Sequence, residues 1–171
     1  HLAASSAERI RPIIFAAWTG ESNGLLGSGH YAETLHRQQD LNHLKTSASA
    51  LNPLDQPNES LANHLVAYLN LDTVGRLDNQ LLIQDAGSSP DWPILLEGVA
   101  MRHKMALVLS QKSHPPTDAV TFYRRRVPVL NAFTGAHQQT HTPRDTSDLL
   151  NYPGLARITR FYTDLAQQLS A

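Results

Sequence analysis

Residues Phe15-Ala16-Ala17-Trp18-Thr19-Gly20-Glu21-Ser22-Asn23-Gly24-Leu25-Leu26-Gly27-Ser28 decide how this chain is read. An apolar run stops at Gly20, a lone carboxylate follows, and two more glycines come after it. Just upstream, the stretch from Ile10 to Trp18 holds Ile13, Ile14, Phe15, Ala16, Ala17 and Trp18 in succession. Continuous apolarity bounded by turn residues predicts a strand buried on both faces, as in a sheet covered by helices. Glu21 would then lie outside the carboxyl end of a buried strand, where open α/β sheets place their ligands.

The alternation continues along the chain. Leu25 to Leu35 has helical character. Residues 36–63 form a polar excursion containing Pro53 and Pro57, too long for a simple connection. Leu65 to Asp72 reads as a second buried strand that ends on a carboxylate, and Gln80 to Gln84 and Met105 to Leu109 read as further strands. Ser89 as N-cap and Pro90 at the first helical position predict a helix to about Arg102. Val127 to Asn131 is a strand whose Pro128 points to an edge or first-residue position. Asp148 or Asn151 opens a final amphipathic helix through Leu169, with Leu155, Ile158, Tyr162, Leu165 and Leu169 recurring at three and four. Strands alternating with helices predict an α/β fold, a three-layer sandwich with a central, mostly parallel sheet flanked by helices.

At 171 residues the chain fits one domain, residues 1–171. A formal charge of −1 gives no electrostatic reason to expect nucleic acid or an anionic membrane as partner. No apolar run approaches the roughly 20 residues of a membrane span. With no cysteine, disulfides and thiolate chemistry are excluded. His1 to Arg9 reads as the tail of an Ala-rich helix followed by a polar turn, so an amino-terminal part of the domain is expected to be missing from this sequence.

Three groups lie just past expected strand ends: Glu21, Asp72 and, in the loop after Asn131, His141. A single strand-end carboxylate is commonly a turn former or cap; three groups of acid/base or metal-ligand type together suggest a site. His137 and His141 are four apart, a spacing that suits a shared metal only in a helix, and Pro143 argues against one. Arg124-Arg125-Arg126 reads as a solvated turn before a strand. Trp18 could line a pocket or fill core, with core favoured.

The motifs resemble those of zinc aminopeptidases of metallopeptidase family twenty-eight. Asn70-Leu71-Asp72-Thr73-Val74-Gly75-Arg76, Phe133-Thr134-Gly135, His141-Thr142-Pro143-Arg144-Asp145-Thr146 and the closing Asn151-Tyr152 with Gly154-Leu155-Ala156 match the family in order across the chain. The resemblance implies a zinc-peptidase/phosphorylase-like fold, a two-zinc site and a peptide substrate with a free amino terminus. It places Glu21 on the general base, Asp72 on a ligand of the first zinc and His141 on a ligand of the second. Ser22 falls where the family has a glutamate ligand. The bridging aspartate and a first histidine lie upstream of His1 in the family, so the missing amino-terminal segment is itself an expected partner. Thr117-Asp118-Ala119 before Phe122-Tyr123 stands where the family has Ser-Asp-His, and Gln138-Gln139 stand in a segment that is often acidic. Asp118, Tyr123 and Asp145 are expected around the pocket.

Each metal then keeps one side-chain ligand, whereas a catalytic zinc normally takes three protein ligands. The expectation is a metallo-aminopeptidase-like hydrolase whose zinc binding and proteolysis are impaired in this chain. Two other readings stand beside it: a non-catalytic binding or scaffold domain, and glutaminyl-cyclase-like acyl transfer. The resemblance also implies a periplasmic or secreted protein.

Overall fold

The computed structural model describes residues 11–46, 61, 65–111 and 116–171. The expected helix tail at residues 1–9 and most of the excursion at 47–63 lie outside the described residues.

Four strands form one sheet: β1 (Tyr68–Leu71), β2 (Gln80–Gln84), β3 (Ala106–Leu109) and β4 (Val129–Phe133), in the order β1-β4-β2-β3. β1 pairs parallel with β4, with Tyr68 opposite Val129 and Leu71 opposite Ala132. β2 pairs parallel with β3 and antiparallel with β4. The sheet is thus mixed, with two parallel pairings and one antiparallel. Pro128 sits just before the first residue of β4, and β4 is central rather than an edge. Of the two positions open to this proline, the strand start is the one taken, where no ladder N–H is lost.

Helices cover both faces. They are α1 (Leu26–Thr46), α2 (Trp92–His103), α3 (Ala119–Tyr123) and α4 (Tyr152–Ser170). Alternation along β4 separates the layers: Leu130 and Ala132 join the core with Leu96, Val99, Ile158, Phe161 and Leu165 of α2 and α4. Val129 faces the other way, with Ala32 of α1 and Ala119 and Phe122 of α3. α4 begins where the sequence placed it, since Asn151 accepts a bond from the Gly154 amide at 2.9 Å. For α2 the expected cap is corrected. Asp91 is the N-cap and Pro93 lies in the first turn, while the Ser89 hydroxyl accepts a bond from the Asp91 amide in the turn before. The helical stretch expected at Leu25–Leu35 runs on to Thr46, so the polar excursion begins as helix.

The expected strand at Ile10–Trp18 is the main correction. Its described part, residues 11–18, is neither helix nor strand. A strand needs a ladder partner for its backbone groups. Among the described residues, none of the Pro12–Trp18 amides or carbonyls bonds to β1 or to another strand. Ile14 is 59% and Phe15 73% exposed.

Candidate active site

Glu21 is set by a glycine turn. Gly20 takes a left-handed φ of 70°, and a Cβ there would meet the Leu26 side chain at 3.1 Å. The chain then enters a short 3-10 turn, Glu21–Asn23. Gly27 lets α1 start hard against this turn, because a Cβ would lie 2.8 Å from the Thr19 backbone.

Asp72 follows β1 directly, its amide donating to the Ala132 carbonyl at 3.0 Å. Asp118 is the N-cap of α3 and is buried, and its Oδ1 has no hydrogen-bond partner among the described residues. Glu21, Asp72 and Asp118 line one groove together. Burial raises the Glu21 carboxyl above its usual value, and the charges of Asp72 and Asp118 raise it further. The Asp118 amide bond and His141 pull in the opposite direction. Burial, then Asp118, likewise raise Asp72, which His141 lowers. Glu21 and Asp72 thus share the groove, and the charge of His141 acts on both.

The other expected residues fall at different distances from this centre. His141 is exposed and holds φ of 60° in the turn region before Pro143, so it shares no helical face with His137. Ser22 is exposed on the 3-10 turn and does not line the groove. Tyr123 ends α3, also outside the groove lining. Asp145 takes the Arg76 guanidinium at 2.6 Å and lies 3.8 Å from His137 Nε2, which ties the His141 loop to the segment after β1.

A polar relay that the sequence did not reveal runs beside these groups. Trp18 Nε1 donates to the Tyr68 hydroxyl at 3.0 Å, and that hydroxyl donates to Asn70 Oδ1 at 2.9 Å. Asn70 Nδ2 donates to Asn131 Oδ1 at 2.8 Å, and Asn131 Nδ2 to Gln84 Oε1 at 2.6 Å. Burial pushes the Tyr68 phenol up to about 12, against the lowering effect of its bond to Trp18. Trp18 is half-buried and packs near Tyr31 and Phe122, so it serves both core and groove wall.

A zinc pair needs clustered nitrogen and carboxylate donors. Among the described residues no group of three or more His, Cys, Asp or Glu side chains is placed to hold a metal ion. Glu21, Asp72 and Asp118 supply charge, and the histidine whose charge acts on Glu21 and Asp72 is the exposed His141. The donor set in these residues does not fit two zinc ions.

A family model described as peptidase family M28 matches residues 1–166. No curated protein matches significantly. Among solved structures, the LapA aminopeptidase of Legionella pneumophila superposes with a TM-score of 0.74 at 18% identity, over 98% of this chain and 41% of that one. LapB from the same organism gives 0.68 at 17%, over 98% and 42%. A zinc aminopeptidase from Bacillus subtilis gives 0.64 at 19%, over 89% and 34%. At these identities the likeness is one of fold. The chain spans about two fifths of the length of the Legionella structures.

Proposed function

The chain belongs to peptidase family M28, and from that membership we propose an aminopeptidase-type domain that acts on amino-terminal peptide bonds, with a metal site that residues 1–171 leave impaired. The observation that supports this most is the meeting of Glu21, Asp72 and Asp118 in one groove beyond the end of β1, with His141 in electrostatic reach. Glu21 is the proton carrier in this reading. Desolvation and two neighbouring carboxylates raise its affinity for a proton, which suits a group that takes one from attacking water and returns it to a leaving amine. Asp72 and His141 are the metal-side residues, and Asp118 sets the field between them. Ser22 offers no carboxylate and faces solvent. A periplasmic or secreted setting belongs to the same reading; no described helix is long and apolar enough to cross a membrane.

Turnover of an aminoacyl anilide, with zinc added, tests the proposal. Residual hydrolysis should fall about 100- to 10,000-fold in Glu21→Gln, the usual range for losing a general base. Equal turnover in both proteins removes Glu21 from the chemistry. No turnover in either favours a non-catalytic binding domain on the same fold, a reading that the exposed Ser22 supports.

A further inference from the structure

We infer that the buried hydroxyl pair of Ser28 and Thr121 positions Glu21, by fixing the turn that carries it against the start of α3. The inference rests on the reading of Glu21 as proton carrier. It involves no metal, and the measurement that tests it needs no turnover.

The Glu21 turn and the start of α1 form one unit. The Leu25 amide donates to the Glu21 carbonyl at 3.0 Å, the Leu26 amide to the Gly20 carbonyl at 3.2 Å, and the Gly27 amide to the Thr19 carbonyl at 2.9 Å. Leu25 holds φ of 61°. A branched side chain keeps such a left-handed value only where its surroundings impose it.

α3 is the second unit. Asp118 caps it, and the Thr121 amide donates to the Asp118 carbonyl at 3.2 Å. The Asp118 amide donates to the Glu21 carboxylate. Glu21 thus stands on one unit and is bonded from the other. Its place depends on how α1 sits on α3.

Apolar packing alone does not set that relation. Ala32 of α1 is buried with Ala119 and Phe122 of α3, and Trp18, Tyr31 and Leu35 pack against them. Such contact is non-directional. Within this layer Ser28 Oγ and Thr121 Oγ1 lie 3.0 Å apart, and both residues are buried. The Ser28 hydroxyl also lies 3.3 Å from the Leu25 carbonyl, which it donates to. One assignment of hydrogens satisfies both contacts: Thr121 donates to Ser28, and Ser28 donates to Leu25. The bonds therefore run from α3 to the left-handed residue of the Glu21 turn. A directional pair inside an apolar layer fixes register, the best-attested use of buried polar groups.

Exchange of the Asp118 amide, followed by NMR at neutral pH in the 171-residue chain, is the test. Glu21→Ala supplies the rate of the amide without its acceptor. Ser28→Ala combined with Thr121→Val removes both hydroxyls and leaves neither unpaired, a change that is close to neutral for stability. The urea midpoint should therefore stay near the parent's. The Asp118 amide should still exchange about five times faster, the factor for losing one ordinary hydrogen bond, and so approach the Glu21→Ala rate. Thr121→Ser keeps the hydroxyl and should restore the parent rate. Parent-like exchange in the double variant overturns the proposal. A double variant that unfolds, or exchanges faster throughout α3, makes the pair merely structural and overturns it as well. So does Glu21→Ala with the parent's Asp118 rate, since Glu21 would then not be held by that amide. A parent chain without turnover counts against the role of Glu21 and leaves these rates as they are, so the two failures are distinguishable.

Discussion

Asn70 and Asn131 face each other across the β1–β4 ladder, joined by a 2.8 Å bond from Asn70 Nδ2 to Asn131 Oδ1. Asn131 is buried in the central strand and passes the bond on to Gln84 of β2. The amides thus link three strands on the face toward α1 and α3, just before β1 ends at Asp72.

Asn131→Ala would leave the Asn70 Nδ2 donor and the Gln84 Oε1 acceptor unsatisfied under a packed layer. Leaving buried polar groups unpaired costs about 1–3 kcal/mol each. Urea unfolding should show a loss in that range. A variant as stable as the parent would mean that water replaces both bonds.

Asp72→Asn should stabilise the chain at neutral pH. The Asp72 carboxyl is raised in the folded state, by burial first and by Asp118 next. Folding therefore favours its protonated form, and the parent loses stability as pH rises from the ordinary carboxylate value, about 4, through the raised one. The asparagine lacks that loss. Its melting temperature should exceed the parent's by a few degrees at most near pH 7, on the order expected for about 1 kcal/mol, and the gap should close below about pH 4. A gap that persists in acid would assign the gain to packing instead.

Arg76→Gln should loosen the turn that carries His141. Arg76 holds Asp145 at 2.6 Å with both side chains partly exposed, and its amide also donates to the Thr134 hydroxyl. Partial exposure keeps the pair's worth near about 1 kcal/mol. Amides at residues 137–145 should exchange about five times faster, the factor that energy implies, while α4 stays protected. Unchanged exchange would show that the turn is held by its own bonds, such as Thr142 Oγ1 to the Gln139 carbonyl.

The sequence made most of the architecture legible, because periodicity and turn chemistry are local. Gln80–Gln84, the Asn151 cap and the apolar stripe of α4 needed no tertiary information. Ile13–Trp18 failed for the complementary reason. Its apolarity is that of a buried strand, but strand formation requires a neighbour, and pattern alone does not say whether one is present. In the site, Asp72 follows a strand as the sequence placed it, whereas Glu21 follows a segment that is not a strand and His141 sits in a turn past the end of β4. The burial of Asp118 and the Trp18-Tyr68-Asn70-Asn131 relay depend on distant segments meeting, which no local spacing encodes.

Ser22→Glu in the 171-residue chain should leave zinc content unchanged. The serine faces solvent on its 3-10 turn, outside the groove lined by Glu21 and Asp72. A carboxylate there adds one donor to a set without enough nitrogen ligands. A rise to about one zinc per chain or more would mean that the turn rearranges to complete a site.

Zinc stoichiometry of the unaltered chain tests the central claim most directly. The claim is that residues 1–171 hold the acid/base part of a peptidase site but not the donors for its metal pair. After equilibration with micromolar zinc and dialysis, metal analysis should give fewer than about one zinc per chain, given the three protein ligands that a tight catalytic site requires. A value near two would contradict the account and show that the described carboxylates and His141, with other residues of the chain, do assemble a complete two-metal centre.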